Sequence, residues 1–294
     1  MSVFGIGTVV IDNVVVLPSH PEVDTKSPVI SHWQQIGGPV PVALSVLSHY
    51  GVATQFMGRW GNDPAGNQIR QGLGQRGIDL TPSSSHDEWT SGFAHVWTEE
   101  QTGRRTIAFH RGSFPPIPTE ELRLELLDSS LILHLDGAMP EVAIAAARHQ
   151  QANGRLVVLD AGSKKPGMEE LLKFVDVLIA SNLFCESWFG DVSVSMQEIA
   201  ALGPKSVVRT HAEDGATYYN ANDLIHVPAL QIEPVDTNGA GDVFCGAYLY
   251  GMVQKWNPPR ILSFANSVAG FSCRHRGNST YPVLGELPPN EVSS

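Results

Sequence analysis

Residues 236–242 read Asp-Thr-Asn-Gly-Ala-Gly-Asp, and this short run is the most specific part of the sequence. It follows a strand-like segment at 226–232 and precedes residues 243–253, whose apolar side chains fit a buried helix. Its glycines therefore lie where a loop turns into a helix. The unpaired amides and the positive dipole end of a helix N-terminus bind anions, and small residues leave those amides accessible. The run predicts a cradle for a phosphate group.

The last residue of the run, Asp242, has two explanations. Aspartate stabilises helix N-termini without taking part in chemistry, which would explain an isolated Gly-x-Gly-Asp. The complete run, however, resembles the C-terminal signature of the ribokinase-like (PfkB) carbohydrate kinases, Asp-Thr-x-Gly-Ala-Gly-Asp, at every fixed position. The resemblance implies that the amides of Gly239, Ala240 and Gly241 form an anion hole for the transferring phosphoryl group, and that Asp242 accepts the proton of the substrate hydroxyl group. These groups suffice because phosphoryl transfer requires positioning and charge stabilisation more than covalent catalysis.

The acceptor side of the same resemblance lies in the first part of the chain. Gly37-Gly38 begins a helical stretch to Leu47, and residues 58–66 match the family pattern Gly-x-x-Gly-x-Asp-x-x-Gly. The resemblance implies that Gly37 and Gly38 lie against the sugar, where a side chain would block close approach. It also implies that Asp12 binds substrate hydroxyl groups. Glycines that serve only turns, and a surface aspartate in a loop, are the alternatives.

The nucleotide side resembles the family less closely. Residues 210–215, Thr-His-Ala-Glu-Asp-Gly, resemble a Thr-x-Gly-x-x-Gly segment near the ATP phosphates, but Ala212 replaces its first glycine. Residues 264–267, Phe-Ala-Asn-Ser, and a later glycine resemble the helix and loop beside adenine. The resemblance implies ATP as a cofactor. The candidate nucleotide-binding residues are Thr210, Glu213, Gly215, Asn266 and Gly277.

Two departures from the family pattern concern the acceptor and the metal. Relatives carry asparagine five residues after the Gly-Gly start, and Val42 stands there, which argues against recognition of ribose or fructose by the usual scheme. Relatives also carry Asn-x-x-Glu, which organises magnesium and phosphate, and Ser181 and Phe184 occupy those positions. Asn182 and Glu186 lie nearby with a different spacing and are the candidate metal-binding residues. The resemblance implies Mg²⁺ as a cofactor, with K⁺ near the anion hole as in many relatives.

The nature of the acceptor is left open by the sequence. Some sugar kinase relatives that accept acidic sugars carry a glycine-proline pair in the N-terminal signature. This chain has such a pair at Gly38-Pro39. Lys26, and Arg105 or Arg111, are candidates for binding an acidic substituent by charge-assisted hydrogen bonds, with solvated surface charges as the alternative. We expect ATP-dependent phosphorylation of a hydroxyl group on a sugar or sugar-like molecule. A nucleoside kinase and a sugar- or nucleotide-binding sensor with the same fold are the alternatives.

Short apolar runs that alternate with segments of helical spacing indicate an α/β fold with a mostly parallel sheet. Residues 3–17 predict a buried strand that ends in a polar loop, and 140–153 predict a helix ended by Gly154. Residues 80–118 break the alternation and predict antiparallel strands that project from the main sheet as a small lid. An antiparallel edge of the main sheet is the alternative for that region.

The resemblance implies one ribokinase-like domain, a three-layer sandwich at 1–285 with the lid strands inserted within 80–118. Residues 286–294 predict a loose tail. Lid strands of this family often meet a second subunit, so a homodimer through the lid is expected by analogy. Exposed aromatic residues between Trp89 and Phe109 would be consistent with that dimer.

Composition argues against several other classes of protein. The net charge of −11 among 294 residues disfavours nucleic acid as a ligand, because such binding depends on neutralising phosphates. Three widely spaced cysteines indicate neither a disulfide framework nor a zinc site and fit a reducing compartment. Since no basic N-terminal region and no apolar run of about 18 residues is present, we expect a cytoplasmic protein without a membrane partner. The first glycines lack the third glycine of a dinucleotide fingerprint, and nothing matches the P-loop pattern Gly-x-x-x-x-Gly-Lys-Ser/Thr. A nicotinamide enzyme and a P-loop enzyme are therefore both disfavoured.

Overall fold

The computed structural model describes residues 2–103 and 105–286. Within these residues the chain forms fourteen strands and nine α-helices. The strands are β1 (Ser2–Ile6), β2 (Val10–Leu17), β3 (Ser31–Gly37), β4 (Ala53–Met57), β5 (Arg59–Gly61), β6 (Ser84–His86), β7 (Gly92–Glu99), β8 (Arg105–His110), β9 (Ile132–Leu135), β10 (Leu156–Ala161), β11 (Val177–Ala180), β12 (Ser206–Thr210), β13 (Ala216–Tyr219) and β14 (Leu224–Val227). The helices are α1 (Pro39–His49), α2 (Pro64–Gln75), α3 (Leu124–Asp128), α4 (Pro140–Ala152), α5 (Met168–Leu171), α6 (Asn182–Phe189), α7 (Met196–Ala200), α8 (Ala240–Val253) and α9 (Pro258–Cys273).

The main sheet contains eight strands in the order β14-β13-β12-β11-β10-β9-β1-β4. The strands from β12 to β4 run parallel to one another, whereas β13 and β14 add an antiparallel edge. Parallel strands are buried on both faces, so short continuous apolar runs are the residues that form them. The predicted mostly parallel sheet is confirmed.

Helices cover both faces of the main sheet. On one face, α1, α8 and α9 share a hydrophobic cluster with Val158 and Val208 of the sheet. On the other face, α4 and α5 share a second cluster with Leu133 and Leu159. Removal of these apolar side chains from water is the main force that holds the layers together. The three-layer sandwich is confirmed.

A separate four-stranded sheet, in the order β3-β2-β7-β8, forms the lid. β2 pairs in parallel with β7, and β3 and β8 pair antiparallel on the two outer sides. Only β7 and β8 come from the range 80–118, because β2 and β3 come from residues 10–37. The lid is therefore not confined to an insertion within 80–118, and it is not an edge of the main sheet.

The prediction of one buried strand at 3–17 is wrong. β1 ends at Ile6 in the main sheet, and β2 begins at Val10 in the lid. Gly7 lies in the loop that connects the two sheets. A Cβ atom there would lie 2.6 Å from Val40 and 2.7 Å from the Asp136 carboxylate. Both sheets select the same β-branched residues, so a continuous Val- and Ile-rich sequence does not show that the chain changes sheets.

Helix α4 follows the sequence prediction closely. It ends at Ala152, and Gly154 adopts a φ of +65°, a conformation that glycine adopts without a steric cost. Residues 287–294 of the predicted tail lie outside the described residues. Each helix in the described part of the chain is too short or too polar to cross a lipid bilayer.

The carboxyl ends of β1, β9 and β10 meet at one edge of the main sheet. The lid begins at the same edge, because the short loop after β1 leads directly into β2. Ligands of open α/β sheets bind beside the carboxyl ends of the strands. A ligand site is therefore expected at this edge.

Candidate active site

Helix α8 begins at the predicted phosphate cradle. Gly239 precedes the helix with a φ of +81°, a left-handed conformation that favours glycine, and Ala240 is its first residue. A Cβ atom placed on Gly241 would meet no atom within 4 Å, so the space above the first turn is open. The first amides of a helix have no acceptor within the helix. The turn therefore has room for an anion, and binding of a phosphate there stays a prediction.

Asp236 holds the loop that leads into α8. Its Oδ1 accepts a hydrogen bond from the amide of Asn238 at 2.9 Å, and its Oδ2 accepts one from the amide of Gly277 at 3.0 Å. The next residue, Asn278, is 1% exposed and donates to the carbonyl oxygen of Ile36 at 2.9 Å. The cradle is thus tied both to the loop after α9 and to the end of β3.

Asp242 lies in the first turn of α8, and other carboxyl groups surround it. Burial raises the pKa of Asp242 well above the ordinary aspartate value, and the charges of Asp160, Asp12 and Asp136 raise it further. The guanidinium group of Arg105 lowers it. A carboxylate with a raised pKa is a better proton acceptor, which suits a general base.

Asp136 and Asp160 lie at the ends of neighbouring strands and differ in their hydrogen bonds. Asp136 accepts hydrogen bonds from the amide and hydroxyl of Thr8 at 2.8 and 3.0 Å and from the amide of Ala138 at 2.9 Å, so it holds the loop after β1 in place. The buried Oδ2 of Asp160 has no hydrogen-bond partner among the described residues. Burial raises the pKa of Asp160 to about 7, against the opposing charge of Lys165. A carboxyl group of this kind adds to the cost of ionising its neighbours.

The predicted acceptor residues meet at the base of the lid. Asp12 on β2 lies opposite Gln35, whose side-chain amide donates to Asp12 Oδ2 at 3.4 Å. Asp12 is half-buried in a strand and not a surface residue of a loop, and burial raises its pKa to about 6. A Cβ atom on Gly37 would lie 2.5 Å from the Asp12 carboxylate, and one on Gly38 would lie 2.3 Å from the carbonyl oxygen of Thr8. Close contacts within the protein therefore require both glycines, whether or not a ligand is bound.

The predicted phosphate-side segment forms the loop after β12. Thr210 ends that strand, Glu213 is exposed, and the amide of His211 donates to the carbonyl oxygen of Gly215 at 2.7 Å. Gly215 has a φ of +99°, and a Cβ atom there would lie 2.2 Å from the carbonyl oxygen of Val227. Only glycine fits at that position, which explains this part of the family pattern.

The adenine-side candidates make contacts within the protein. Asn266 on α9 is buried, and its Nδ2 donates to the carbonyl oxygens of Val227 at 2.9 Å and Pro228 at 3.0 Å. Gly277 has a φ of +79° and donates its amide to Asp236. Asn266 therefore positions the end of β14, and its contact with a nucleotide stays a prediction.

Ala212, which replaces the family glycine, adopts a φ of +51°. This left-handed conformation costs a residue other than glycine about 1–2 kcal/mol. We expect Ala212→Gly to raise the free energy of unfolding by about 0.5–1 kcal/mol, because the greater freedom of glycine in the unfolded chain offsets part of the relief. Denaturant unfolding measures this change. Ala145→Gly, inside α4, is the matched control and should lower the free energy of unfolding by about 0.5–1 kcal/mol. If both variants have a lower free energy of unfolding than wild type, the inference that Ala212 is strained would be contradicted.

The candidate metal-binding residues do not converge. Ser181 caps α6 by accepting a hydrogen bond from the amide of Phe184 at 3.1 Å, and Phe184 is fully buried. Asn182 Oδ1 accepts hydrogen bonds from Arg209 at 3.0 and 3.3 Å, while Glu186 is exposed. The described residues include no group of three or more His, Cys, Asp or Glu side chains that could hold a metal ion. Magnesium at a phosphate site often needs only one or two carboxylates, because phosphate oxygens and water complete its shell.

The remaining substrate-side predictions fall in different places. Val42, at the position that carries asparagine in relatives, is fully buried in α1 and belongs to the hydrophobic cluster on one face of the main sheet. Lys26 is exposed in the loop between β2 and β3. Arg111 follows β8, with its guanidinium group 5.7 Å from the centre of the Phe109 ring. Binding of an acidic substituent by Lys26 or Arg111 stays a prediction.

Sequence reasoning missed Asp136, Asp160 and Asn278. A signal existed for the two aspartates, because each ends a buried apolar run and the carboxyl ends of parallel strands share one edge. No such signal existed for Asn278, whose hydrogen-bond partner Ile36 is 242 residues away.

A family model described as pfkB family carbohydrate kinase matches residues 2–283 of the chain. Among curated proteins, the chain is similar to a nucleoside kinase of Methanothermobacter thermautotrophicus. The two are 23% identical over 287 residues, which cover 96% of this chain and 92% of the relative.

Solved structures of the ribokinase type have the same fold. The ribokinase of Arabidopsis thaliana, complexed with ribose and ATP, has a TM-score of 0.81 and 24% identity and covers 94% of this chain and 93% of its own. A ribokinase-type protein of E. coli, in complex with ATP and Mg²⁺, has a TM-score of 0.80 and 22% identity, with 95% and 94% covered. The chain therefore adopts the ribokinase fold.

Proposed function

The chain belongs to the pfkB family of carbohydrate kinases, and we propose that it transfers the γ-phosphoryl group of ATP to a hydroxyl group of a sugar or sugar-like molecule. One observation carries this proposal. Asp242 lies in the first turn of α8, next to the open space above Gly241 and within the electrostatic range of Asp12 and Asp160. A proton acceptor beside an anion cradle is the arrangement that phosphoryl transfer requires.

In the proposed reaction the acceptor oxygen bonds to the γ-phosphorus while the bond between phosphorus and the bridging oxygen of ADP breaks. Asp242 accepts the proton of the acceptor hydroxyl group. The amides of Gly239 and Gly241 donate hydrogen bonds to the oxygens of the transferring group. The amide of Ala240 donates to the carbonyl oxygen of Thr237 at 3.3 Å and would exchange this bond for one to the transferring group. Asp12 accepts hydrogen bonds from other hydroxyl groups of the acceptor and so keeps the reactive oxygen in place.

ATP and Mg²⁺ are the proposed cofactors, in line with the two solved relatives whose complexes contain ATP, one of them with Mg²⁺. The loop at 210–215 would hold the ATP phosphates, and the open first turn of α8 has room for the γ-phosphoryl group. Bound Mg²⁺ would neutralise part of the phosphate charge. Asp160 supplies the type of oxygen donor that Mg²⁺ prefers. K⁺ stays a prediction from the family resemblance.

A nucleoside acceptor is the second candidate, and the lid favours it. Asp12, Ala94 and Phe109 are cross-strand partners, so their side chains lie on one face. Phe109 is 63% exposed and Ile107, on the same face, is 47% exposed. A planar base would cover these apolar side chains while Asp12 holds the ribose.

A panel of acceptors separates these candidates. The protein is incubated with ATP, Mg²⁺ and sugars, sugar acids or nucleosides, and products are identified by mass spectrometry. A phosphorylated sugar or sugar acid supports the first proposal, and a phosphorylated nucleoside supports the second. Binding of ATP and an acceptor without any phosphorylated product would identify a sensor and contradict both.

We expect kcat/KM to rise with pH at values above the ordinary aspartate pKa. Asp242 must be ionised, and burial and the neighbouring carboxyl groups raise its pKa, so its ionised fraction grows as pH increases. Asp160→Asn removes the neighbouring charge with the largest effect, which lowers the pKa of Asp242 and shifts the rising limb to lower pH. Rates are measured from about pH 5 to about pH 9, above the ordinary aspartate pKa of about 4, so a rising limb within this range reports a raised pKa. Asp223→Asn, at an exposed position, is the control and should leave the rising limb of the kcat/KM profile at the same pH. If the limb of Asp160→Asn stays at the same pH or moves to higher pH, the assignment of this limb to Asp242 would be contradicted.

The homodimer through the lid stays a proposal. Phe93 and Trp97 lie on the lid face opposite Ala94, because successive residues of a strand alternate between faces. They are 38% and 43% exposed. Exposed aromatic side chains on one face of a sheet are the type of surface that a second subunit covers.

A further inference from the structure

The lid reaches across the cleft and contacts the phosphate cradle. Arg105, the first residue of β8, donates a hydrogen bond from its guanidinium group to Thr237 Oγ1 at 3.1 Å, although 132 residues separate the two. Both residues are exposed, so the contact lies at the open cleft and not in a core. Arg105 shares the lid face of Asp12, because its partner Thr98 pairs with Val16 on β2.

The contact brings a positive charge to the reacting groups. Thr237 belongs to the run that forms the cradle, two residues before Gly239. The charge of Arg105 opposes the rise in the pKa of Asp242 and also that of Cys273. The guanidinium group therefore lies within electrostatic range of the position where the phosphoryl group would move.

Other charges around the cleft are mostly negative. Asp12, Asp160 and Asp242 all raise the cost of bringing a phosphate into the site. Lys165 reaches this edge of the sheet, but its Nζ donates to the carbonyl oxygen of Asp136 at 2.7 Å. A fixed cation beside the cradle would offset the charge that spreads over the phosphoryl oxygens during transfer.

We propose that Arg105 is a catalytic residue whose guanidinium group contacts the transferring phosphoryl group while the lid covers the cleft. This inference rests on the proposed kinase function. A guanidinium group has five N–H donors, so it can keep its hydrogen bond to Thr237 and still donate to phosphate oxygens. Arg105 forms and breaks no covalent bond, and the acceptor proton still passes to Asp242.

Three variants test the role of the guanidinium group. Arg105→Gln should lower kcat about 10²- to 10³-fold with little change in either KM, the effect expected when one stabilising donor is lost. Arg105→Lys should have a kcat only slightly higher than that of Arg105→Gln, because lysine keeps the positive charge but not the forked N–H donors. Arg123→Gln is the matched control, since it removes the same group from an exposed ion pair with Glu125 and should leave kcat unchanged.

Two further measurements separate catalysis from a purely structural role of the lid contact. Added guanidinium ions should raise the turnover of Arg105→Ala and have no such effect on Arg123→Gln. In calorimetry, Arg105→Gln should bind ADP as wild type does but lose affinity for ADP with aluminium fluoride, which mimics the transferring group. A variant that loses only stability or both affinities equally would assign Arg105 to structure.

The failure of this inference is distinguishable from failure of the kinase proposal. If wild type forms no product with any acceptor, the kinase proposal fails, and the aluminium fluoride measurement still shows whether Arg105 contacts the phosphoryl position. If wild type forms product and Arg105→Gln has the same kcat, the kinase proposal stands and the role of Arg105 is contradicted.

Discussion

Asp242→Asn should fold and bind ATP but transfer phosphoryl groups about 10²- to 10⁴-fold more slowly than wild type, as expected when a general base is lost. Asparagine keeps the shape of the side chain but cannot accept the proton of the acceptor hydroxyl group. The anion cradle at Gly239 to Gly241 stays intact, so ATP affinity should change little. The measurements are kcat with the best acceptor of the panel and ATP affinity by calorimetry.

The same variant should be as stable as wild type below the ordinary aspartate pKa of about 4 and more stable at higher pH. Folding raises the pKa of Asp242 because burial and the neighbouring carboxyl groups disfavour its ionised form. Such a group stabilises the fold while it is protonated, and this stability is lost as pH rises through the folded-state pKa. Asparagine does not ionise and avoids that loss, which thermal unfolding at two pH values would show.

Asp24→Asn is the matched control for Asp242→Asn. Asp24 is exposed and has a φ of +64°, a conformation that asparagine adopts readily. The turnover and stability of the Asp24→Asn variant should equal those of wild type. Near wild-type turnover in Asp242→Asn would contradict its role as the base, and an unfolded variant would assign it a structural role.

Asp12→Asn should raise the acceptor KM about 10- to 100-fold, because loss of a hydrogen bond to a charged group costs about 1.5–3 kcal/mol. Asp12 is half-buried at the base of the lid, and the side-chain amide of Gln35 donates a hydrogen bond to its carboxylate. The ATP KM should not change, since the loop at 210–215 follows β12, which lies four strands from β1 in the main sheet. Initial rates with each substrate varied in turn give both constants.

Asn13→Ala is the matched control for the acceptor side. Asn13 is the next residue of β2 and faces the opposite side of the lid, where it donates to the carbonyl oxygen of Ala94 and accepts from Gln34. It should leave the acceptor KM unchanged. An unchanged acceptor KM in Asp12→Asn, or an equal rise in the ATP KM, would contradict the assignment of Asp12.

Local patterns predict the parts of the fold that depend on neighbouring residues. The start of α8 at Gly239 and the end of α4 before Gly154 are visible in the sequence, because glycine and apolar spacing act within one turn. The entry of β2 and β3 into the lid is not visible. Their pairing with β7 joins distant parts of the chain, and the same apolar residues suit either sheet.

The candidate site likewise contains residues that a local pattern predicts and residues that only folding brings together. Asp242 and the glycines of its cradle are consecutive, so a linear pattern shows them together. Asp160 and Arg105 act on Asp242 only after folding brings β10 and the lid to the start of α8. At Ala212 the backbone keeps the left-handed conformation typical of glycine although the residue differs, so the mismatch with the family pattern lies in the side chain alone.

Transfer of a labelled γ-phosphoryl group from ATP to an acceptor tests the central claim most directly. Wild type and Asp242→Asn are compared with saturating ATP and acceptor, and the label is followed into the acceptor. We predict labelled acceptor with wild type and almost none with Asp242→Asn, although both bind ATP. Equal labelling by the two proteins, or binding of both ligands by wild type without any labelled acceptor, would contradict the assignment of this chain as a kinase that uses Asp242 as its base.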